Sequence, residues 1–336
     1  MVQPVSFAAI RPPTKVPPGH PTRLEIRLIG NLEVRRGDVV LGSQQLGGPK
    51  PRQILELLLL HLGRPVSKDC LIERLWAGKH PPDAVSTLES YVSVLRRHIQ
   101  PGAGKAGPLQ TVTGGYVMNR EFVDLDIDHF ASLMSAAHRS TQPAEAYELL
   151  CSALSLNHSP LLGDELRPSW AEEERALHQA RTTEACVLAA ETATFLGKTT
   201  ESVGWAKKAL DSDQLNERAW TALILALEHD AQFAEGLLCY EQCRQTFARE
   251  LGCNPGSILL DAHARLLRAT SAQENELGPL LSALLILHRQ FSQMSNPEDA
   301  GMSHTAFSGQ NALHTADVLE ATEIIHSFLI RVVPAP

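Results

Sequence analysis

The chain lacks any apolar run of the roughly 18 residues that a membrane-spanning helix requires, so a helical membrane protein is excluded. Its six cysteines, Cys70, Cys151, Cys186, Cys239, Cys243 and Cys253, form no Cys-x-x-Cys pair. No secretory leader is expected from MVQPVSFAAIRPPTKVPPGHP, which is broken by six prolines and whose apolar stretch is too brief. Scattered cysteines without a leader imply reduced thiols, and the expected setting is the cytoplasm.

Positive charge is scarce overall: 30 Lys and Arg against 38 Asp and Glu leave a net charge of −8. Averaged over the chain, that balance argues against nucleic acid as a partner. Taken by segment it does the opposite. Residues 22–120 hold 14 Lys and Arg against 8 Asp and Glu, a net of +6, whereas residues 121–336 carry a net of −16. A basic module on an acidic body binds a polyanion locally without adhering to it everywhere. The length suggests about two domains. Composition and patterning divide the chain into a disordered Pro-rich arm (1–21), a basic module (22–120), a helical domain (121–270) and a helical extension of unassigned role (271–336).

Within the basic module, Asp83–Ile99 is predicted to be one helix, because Val85, Leu88, Val92, Leu95 and Ile99 recur at three- and four-residue steps. The opposite face carries Ser86, Thr87, Ser90, Val94 and Arg97, with Arg96 on its flank. Small hydroxyl side chains let a helix approach a surface closely, and guanidinium groups supply bidentate donors, which is the chemistry of major-groove entry. A solvated amphipathic helix with a basic last turn would look the same in isolation. Its neighbours argue otherwise. Two short helical patterns precede it, Pro51–His61 and Lys68–Trp76, the second with Ser67 as its N-cap. The run LQTVTGGYVM follows, a hairpin signal around Gly114-Gly115. Upstream of all three helices, LEIRLIGNLEV and VVLG alternate as a small antiparallel sheet.

Helix, helix, helix, hairpin is the order of a winged helix-turn-helix, with Asp83–Ile99 as the recognition helix and Leu109–Met118 as the wing. On that reading Ser86, Thr87, Ser90, Val94 and Arg97 lie at or beside base edges, and Lys50, Arg52, Arg96, Thr113 and Tyr116 hold phosphates. Plain surface charge for Lys50 and Arg52, and core packing for Tyr116, are the alternatives. Val94 cannot hydrogen-bond, so its expected partner is a thymine methyl. A fragment ending at residue 120 is expected to bind DNA without activating transcription.

The downstream segment carries a degenerate 34-residue repeat. Trp220, Leu223, Leu227, Gly236, Tyr240 and Cys243 occupy the packing positions of a helical hairpin, and Cys186, Ala189, Ala193, Ser202, Ala206 and Ala209 stand 34 residues earlier. PAEAYELLCSALSL supplies an earlier helix, and PLLGDELRPSW is a non-repetitive insertion. Stacked helix pairs leave a concave surface suited to protein partners. In 271–336 the recurrence of Val318, Leu319, Ile324, Ile325, Phe328, Leu329 and Val332 suggests a helical cap or a dimer surface.

An enzyme reading finds no site. TATFLGKT, residues 192–199, imitates a phosphate-binding loop only at Gly197-Lys198-Thr199, since Thr192 stands where the first glycine belongs and the surroundings are helical. Neither the 14 histidines nor Cys239 and Cys243 form a convincing metal set, and no cofactor is expected.

Together, RLIGNLEVRRG, LGGPKPRQILELLLLHLGRPVSKDCLIERLW, DAVSTLESYVSVLRRHI and TGGYVM resemble the N-terminal domain of the Streptomyces antibiotic regulatory protein family. VDLDIDHFASL and FARELGCNPGSILLDAHARLLR are similar to the beginning and end of that family's bacterial transcriptional activator domain. The resemblance runs over about residues 23–270, and departs from the family pattern at Val94, where a polar or basic residue is usual. It implies an α+β N-terminal winged helix-turn-helix followed by an all-α tetratricopeptide-like helical-repeat domain. It also implies an activator of antibiotic or other secondary-metabolite genes, which binds direct repeats in double-stranded promoter DNA as a homo-oligomer and recruits RNA polymerase holoenzyme. The rival reading is a helical-repeat interaction scaffold with only non-specific DNA affinity.

Overall fold

The alternation of buried and exposed residues in LEIR starts a small sheet: β1 (Leu24–Arg27), β2 (Glu33–Arg36) and β3 (Val39–Gly42) form an antiparallel meander. The structure, a computed structural model, describes residues 23–103 and 106–270. The arm 1–21 and the extension 271–336 lie outside the described residues. Helix α1 (Pro49–Leu60) opens with Pro49 and Pro51 in its first turn, where a missing N–H costs nothing, and buries Ile54, Leu55, Leu57, Leu58 and Leu59. After the short β4 (Val66–Ser67) comes α2 (Lys68–Trp76), capped by Ser67, whose hydroxyl accepts the Cys70 amide at 3.1 Å.

Helix α3 (Ala84–Ile99) buries Leu88, Val92, Leu95 and Ile99 as the periodicity predicts. Val85 does not join them; it is 47 % exposed, being in the first turn and at the edge of the stripe. The hairpin β5 (Leu109–Val112) and β6 (Gly115–Met118) follows, and β4 pairs with β6 to give the order β4-β6-β5. Both glycines of its turn are needed. Gly114 has φ +73°, and a Cβ on Gly115 would collide with the Val66 carbonyl across the β4–β6 pairing. Strand β7 (Val123–Leu125) then returns to lie parallel to β1, completing the sheet order β3-β2-β1-β7.

The helical part contains α4 (Asp126–Arg139), α5 (Pro143–Leu156), α6 (Ser169–Phe195) and α7 (Thr199–Ser212), all in one compact unit with the sheet and winged helix. A second unit, beginning at Leu215, holds α8 (Glu217–His229), α9 (Phe233–Leu251) and a further helical stretch, 257–270. The 34-residue spacing is real in three dimensions. Cys186, Ala189, Ala193, Ser202, Ala206 and Ala209 are all buried, and so are Trp220, Leu223, Leu227, Gly236, Tyr240 and Cys243. Ser202 fits because its hydroxyl donates to the Ala190 carbonyl at 2.9 Å. Gly236 fits because a Cβ there would press on Leu266 at 3.0 Å.

The insertion between α5 and α6 is the least expected part. It straps onto the N-terminal sheet: Gly30 N donates to Pro160 O at 2.9 Å, Leu162 N to Leu28 O at 2.8 Å and Gly163 N to Gly30 O at 2.7 Å. Asp164 accepts the Leu32 amide at 2.7 Å, and Asp126 at the start of α4 accepts the Ile29 amide at 2.8 Å. Leu161, Leu162 and Trp170 enter the same hydrophobic core as Ile26, Leu58 and Leu95. The core of the winged helix therefore continues past residue 120, through β7 and the strap.

Candidate nucleic-acid interface

The outward face of α3 consists of Ser86, Ser90, Ser93 and Arg97, all exposed, flanked by exposed Glu89. Each serine hydroxyl donates to a carbonyl of its own helix: Ser86 to Asp83 at 3.3 Å, Ser90 to Ser86 at 2.9 Å and Ser93 to Glu89 at 2.9 Å. With their protons engaged, the oxygens present lone pairs outward, so this face is acceptor-rich. Arg97 supplies the opposite chemistry, a guanidinium with no ion pair among the described residues, near the end of the helix. At the wing tip Thr113 is exposed beside Gly114. Near it, Lys68 at the start of α2 donates its backbone N–H to Gly114 O at 2.9 Å and its ammonium to Glu89 Oε1 at 2.6 Å.

Several of the residues expected on this surface are turned inward. Val94 is half-buried because its Cγ1 fills the space beside Gly47 (φ +90°), so close that a Cβ on that glycine would collide with it. Thr87 is half-buried as well. The outward face is thus centred on Ser86, Ser93 and Arg97 rather than on Thr87 and Val94. The turn at Gly47 covers the Val94 side of the helix, so the exposed face lies toward Ser93.

The phosphate-holding set changes more. Arg52 is a buried structural cation: its Nε donates to Glu165 Oε1 at 2.7 Å, its Nη2 lies 2.5 Å from the same oxygen, and Glu56 Oε1 is 3.8 Å away. Lys50 donates to the Leu75 carbonyl and to Gln53 at 3.2 Å, with its ammonium 5.9 Å from the Trp76 ring centroid. Burial pulls its pKa below the usual lysine value, although the Glu165 charge opposes that. Arg96 ties α3 to the wing, donating to Leu109 O at 3.2 Å and to Thr111 Oγ1 at 2.8 Å. Tyr116 is 3 % exposed, between Lys68 and Arg96, and its burial pushes the phenol pKa up. Lys50, Arg52, Arg96 and Tyr116 are thus all engaged with framework partners, while Thr113 of the expected five is exposed at the surface. Among the described residues the exposed cations Arg64, Lys79 and Arg97 form no ion pair. Arg64 and Lys79 are single charges in loops, without a pattern to mark them in the sequence.

Beneath the surface, Glu56 is fully buried, and its carboxyl is pushed up to about 9, by burial first and by the Glu165 charge second. It is therefore protonated at neutral pH, and Arg52 faces one carboxylate rather than two.

No phosphate loop forms at 192–199. Gly197 N donates to Thr194 O at 3.0 Å and Lys198 N to Ala193 O at 2.8 Å, so the amides that would cradle a phosphate close the end of α6 instead. Among the described residues no group of His, Cys, Asp and Glu is arranged to hold a metal ion. Burial raises the thiols of Cys186 to about 11 and Cys243 to about 12, as befits packing residues.

Comparison with known proteins gives a coherent result. Residues 43–118 match the profile described as transcriptional regulatory protein, C terminal, and residues 125–267 match the bacterial transcriptional activator domain. Regulatory protein DnrI of Streptomyces peucetius is 28 % identical over 230 residues, covering 66 % of this chain and 84 % of the relative. Regulatory protein AfsR of Streptomyces coelicolor is 29 % identical over 277 residues, covering 78 % of this chain but only 26 % of that much longer protein. The solved structure of Mycobacterium tuberculosis EmbR in complex with a low affinity phosphopeptide superposes with a TM-score of 0.66 at 25 % identity, covering 78 % of this chain and 71 % of the other. With a winged helix-turn-helix followed by tetratricopeptide-like helices, and both family profiles matched in that order, the chain belongs to the Streptomyces antibiotic regulatory protein family of transcriptional activators.

Proposed function

We propose that this activator reads direct repeats in double-stranded promoter DNA through the outward face of α3 and the wing tip. Subunits assemble there as a homo-oligomer, and the helical domain recruits RNA polymerase holoenzyme to antibiotic or other secondary-metabolite genes. Residues 22–120 supply the DNA contacts and 121–270 the activating surface, in the cytoplasm. The observation that carries this reading is the combination on α3 of small outward hydroxyls with an unpaired guanidinium at Arg97, which has the reach and donor geometry to pair with guanine O6 and N7. Thr113 at the wing tip and Arg64 and Lys79 in the same module provide phosphate partners. Among the described residues no helix is long and apolar enough to cross a membrane.

Footprinting of the full chain on the promoters of neighbouring genes, with a salt titration, tests the proposal. The protected repeats should bind at least roughly 10³-fold more tightly than random duplex at one salt concentration. A basic scaffold would show the salt dependence without that gap.

A further inference from the structure

Glu89 is an acid on a helix face that approaches a polyanion, and electrostatics alone would remove it. The structure keeps it there for a reason visible in its surroundings. It is half exposed, one turn from Ser86 and Ser93 on either side, and its Oε1 accepts the Lys68 ammonium at 2.6 Å. Lys68 is in turn fixed: its backbone N–H is bonded to the wing turn at Gly114, and its ammonium lies 5.9 Å from the Tyr116 ring centroid. The ion pair offsets the charge of the carboxylate toward neighbouring phosphates and anchors it through Oε1, while Oε2 takes no hydrogen bond among the described residues.

We propose that Glu89, oriented by Lys68, reads a cytosine in the major groove by accepting its N4 amino proton on Oε2. The inference rests on the DNA-binding role of α3 and assigns a base to one position of the site. Two bases offer an amino donor in the major groove, and they differ in what stands beside it. Adenine N6 is flanked by N7, an acceptor that repels an acceptor-only carboxylate, whereas cytosine N4 is flanked by an apolar C–H edge. Guanine and thymine present acceptors at the matching place and are rejected for the same reason. Glu89 was absent from the residues expected on this surface because its value depends on Lys68, 21 residues away, being brought to it by the α2–α3 turn.

Selection of the full chain on a randomised duplex pool, followed by sequencing, tests this. The wild-type protein should show one position where cytosine is preferred about tenfold or more over the other bases. Glu89→Gln, which adds a donor while preserving shape, should move that preference to adenine through the N6 and N7 edge, and Glu89→Ala should flatten it. As a positioning residue, Lys68 should flatten the same position when changed to Met and restore it when changed to Arg. Glu89 is half exposed, so thermal melting of the Glu89 variants should match the wild type and separate base reading from folding. If both Glu89 variants keep the wild-type preference at every position, the assignment to Glu89 is overturned while the DNA-binding role stands. If the wild-type chain enriches no sequence over random duplex, both fall.

Discussion

Replacing Glu165 by alanine should weaken the protein far from any DNA. The Glu165 side chain is 2 % exposed; Oε1 takes the Arg52 guanidinium at 2.5–2.7 Å, and Oε2 takes the Gln53 amide at 2.7 Å. Its removal leaves Arg52, only 12 % exposed, without its closest carboxylate, the next acid being Glu56 Oε1 at 3.8 Å in a fully buried position. Removing one partner of a buried ion pair costs about 3–5 kcal/mol, and for a unit of about 150–250 residues each kcal/mol lowers Tm by about 2–4 °C. A fall of about 6–20 °C is therefore expected, together with faster amide exchange in α1 and β1 as well as at 160–165. Arg52→Met combined with Glu165→Leu should recover much of the loss, because an apolar pair of similar volume avoids burying charge at all. Urea or thermal unfolding measures both. A loss below about 1 kcal/mol for Glu165→Ala, or a drop in the salt slope of DNA binding by about one for Arg52→Ala, would return Arg52 to the DNA surface and refute the reasoning.

Three further outcomes are expected. Since Glu56 keeps its proton up to about 9 in the folded state but loses it near 4.5 when unfolded, the folded chain binds the extra proton, and stability from this group declines as pH rises between those values. Glu56→Gln, which mimics the protonated form, should flatten that decline in urea midpoints measured from pH 5 to 9; an unchanged slope would place its origin elsewhere. Arg97→Ala should cost about 1–3 kcal/mol on the protected repeat and little on random duplex, whereas Arg96→Ala should loosen the wing and lower Tm; filter binding and melting distinguish the two, and a uniform loss for Arg97 on all DNA would demote it to a phosphate contact. Gly47→Ala should destabilise by about 1–3 kcal/mol, from its left-handed backbone and the collision with Val94, and Val94→Ala in the same chain should recover part of that. Strict additivity in the double variant would show that the two do not touch.

What could be read from sequence was what depends on short-range pattern. Helices α1, α2, α3 and α5 and the β5–β6 hairpin fall where periodicity, Ser67 and Gly114-Gly115 place them, because caps and glycines act within a few residues. The 34-residue register was equally accessible, since each hairpin repeats its own small packing residues. Side-chain fates set by distant chain segments were not accessible. Arg52 reads as a surface cation until Glu165, 113 residues on, is brought to it. Val94 reads as a groove contact until the turn at Gly47 covers it. Asp126, Asp164 and Glu165 look like ordinary acids of an acidic domain, yet each bonds the N-terminal module. For the same reason the fragment ending at residue 120, expected to bind DNA alone, lacks β7, the caps from Asp126 and Asp164, and Leu161, Leu162 and Trp170 of its own core.

The strap at 160–165 also makes the protein sensitive to rotation. Because the strap, α4 and the start of α6 share a core and a set of backbone amide hydrogen bonds with the N-terminal module, and α4 to α7 belong to one compact unit with it, these helices cannot swivel on a tether once α3 is seated in the groove. The azimuth of those helices around the duplex is then set by the binding site. Inserting about 5 base pairs between site and promoter turns them to the far side of the DNA, and about 10 turns them back, since one helical turn is roughly 10–10.5 base pairs. Promoter output should therefore oscillate with spacer length, where a flexibly tethered activating domain would give a smooth decline.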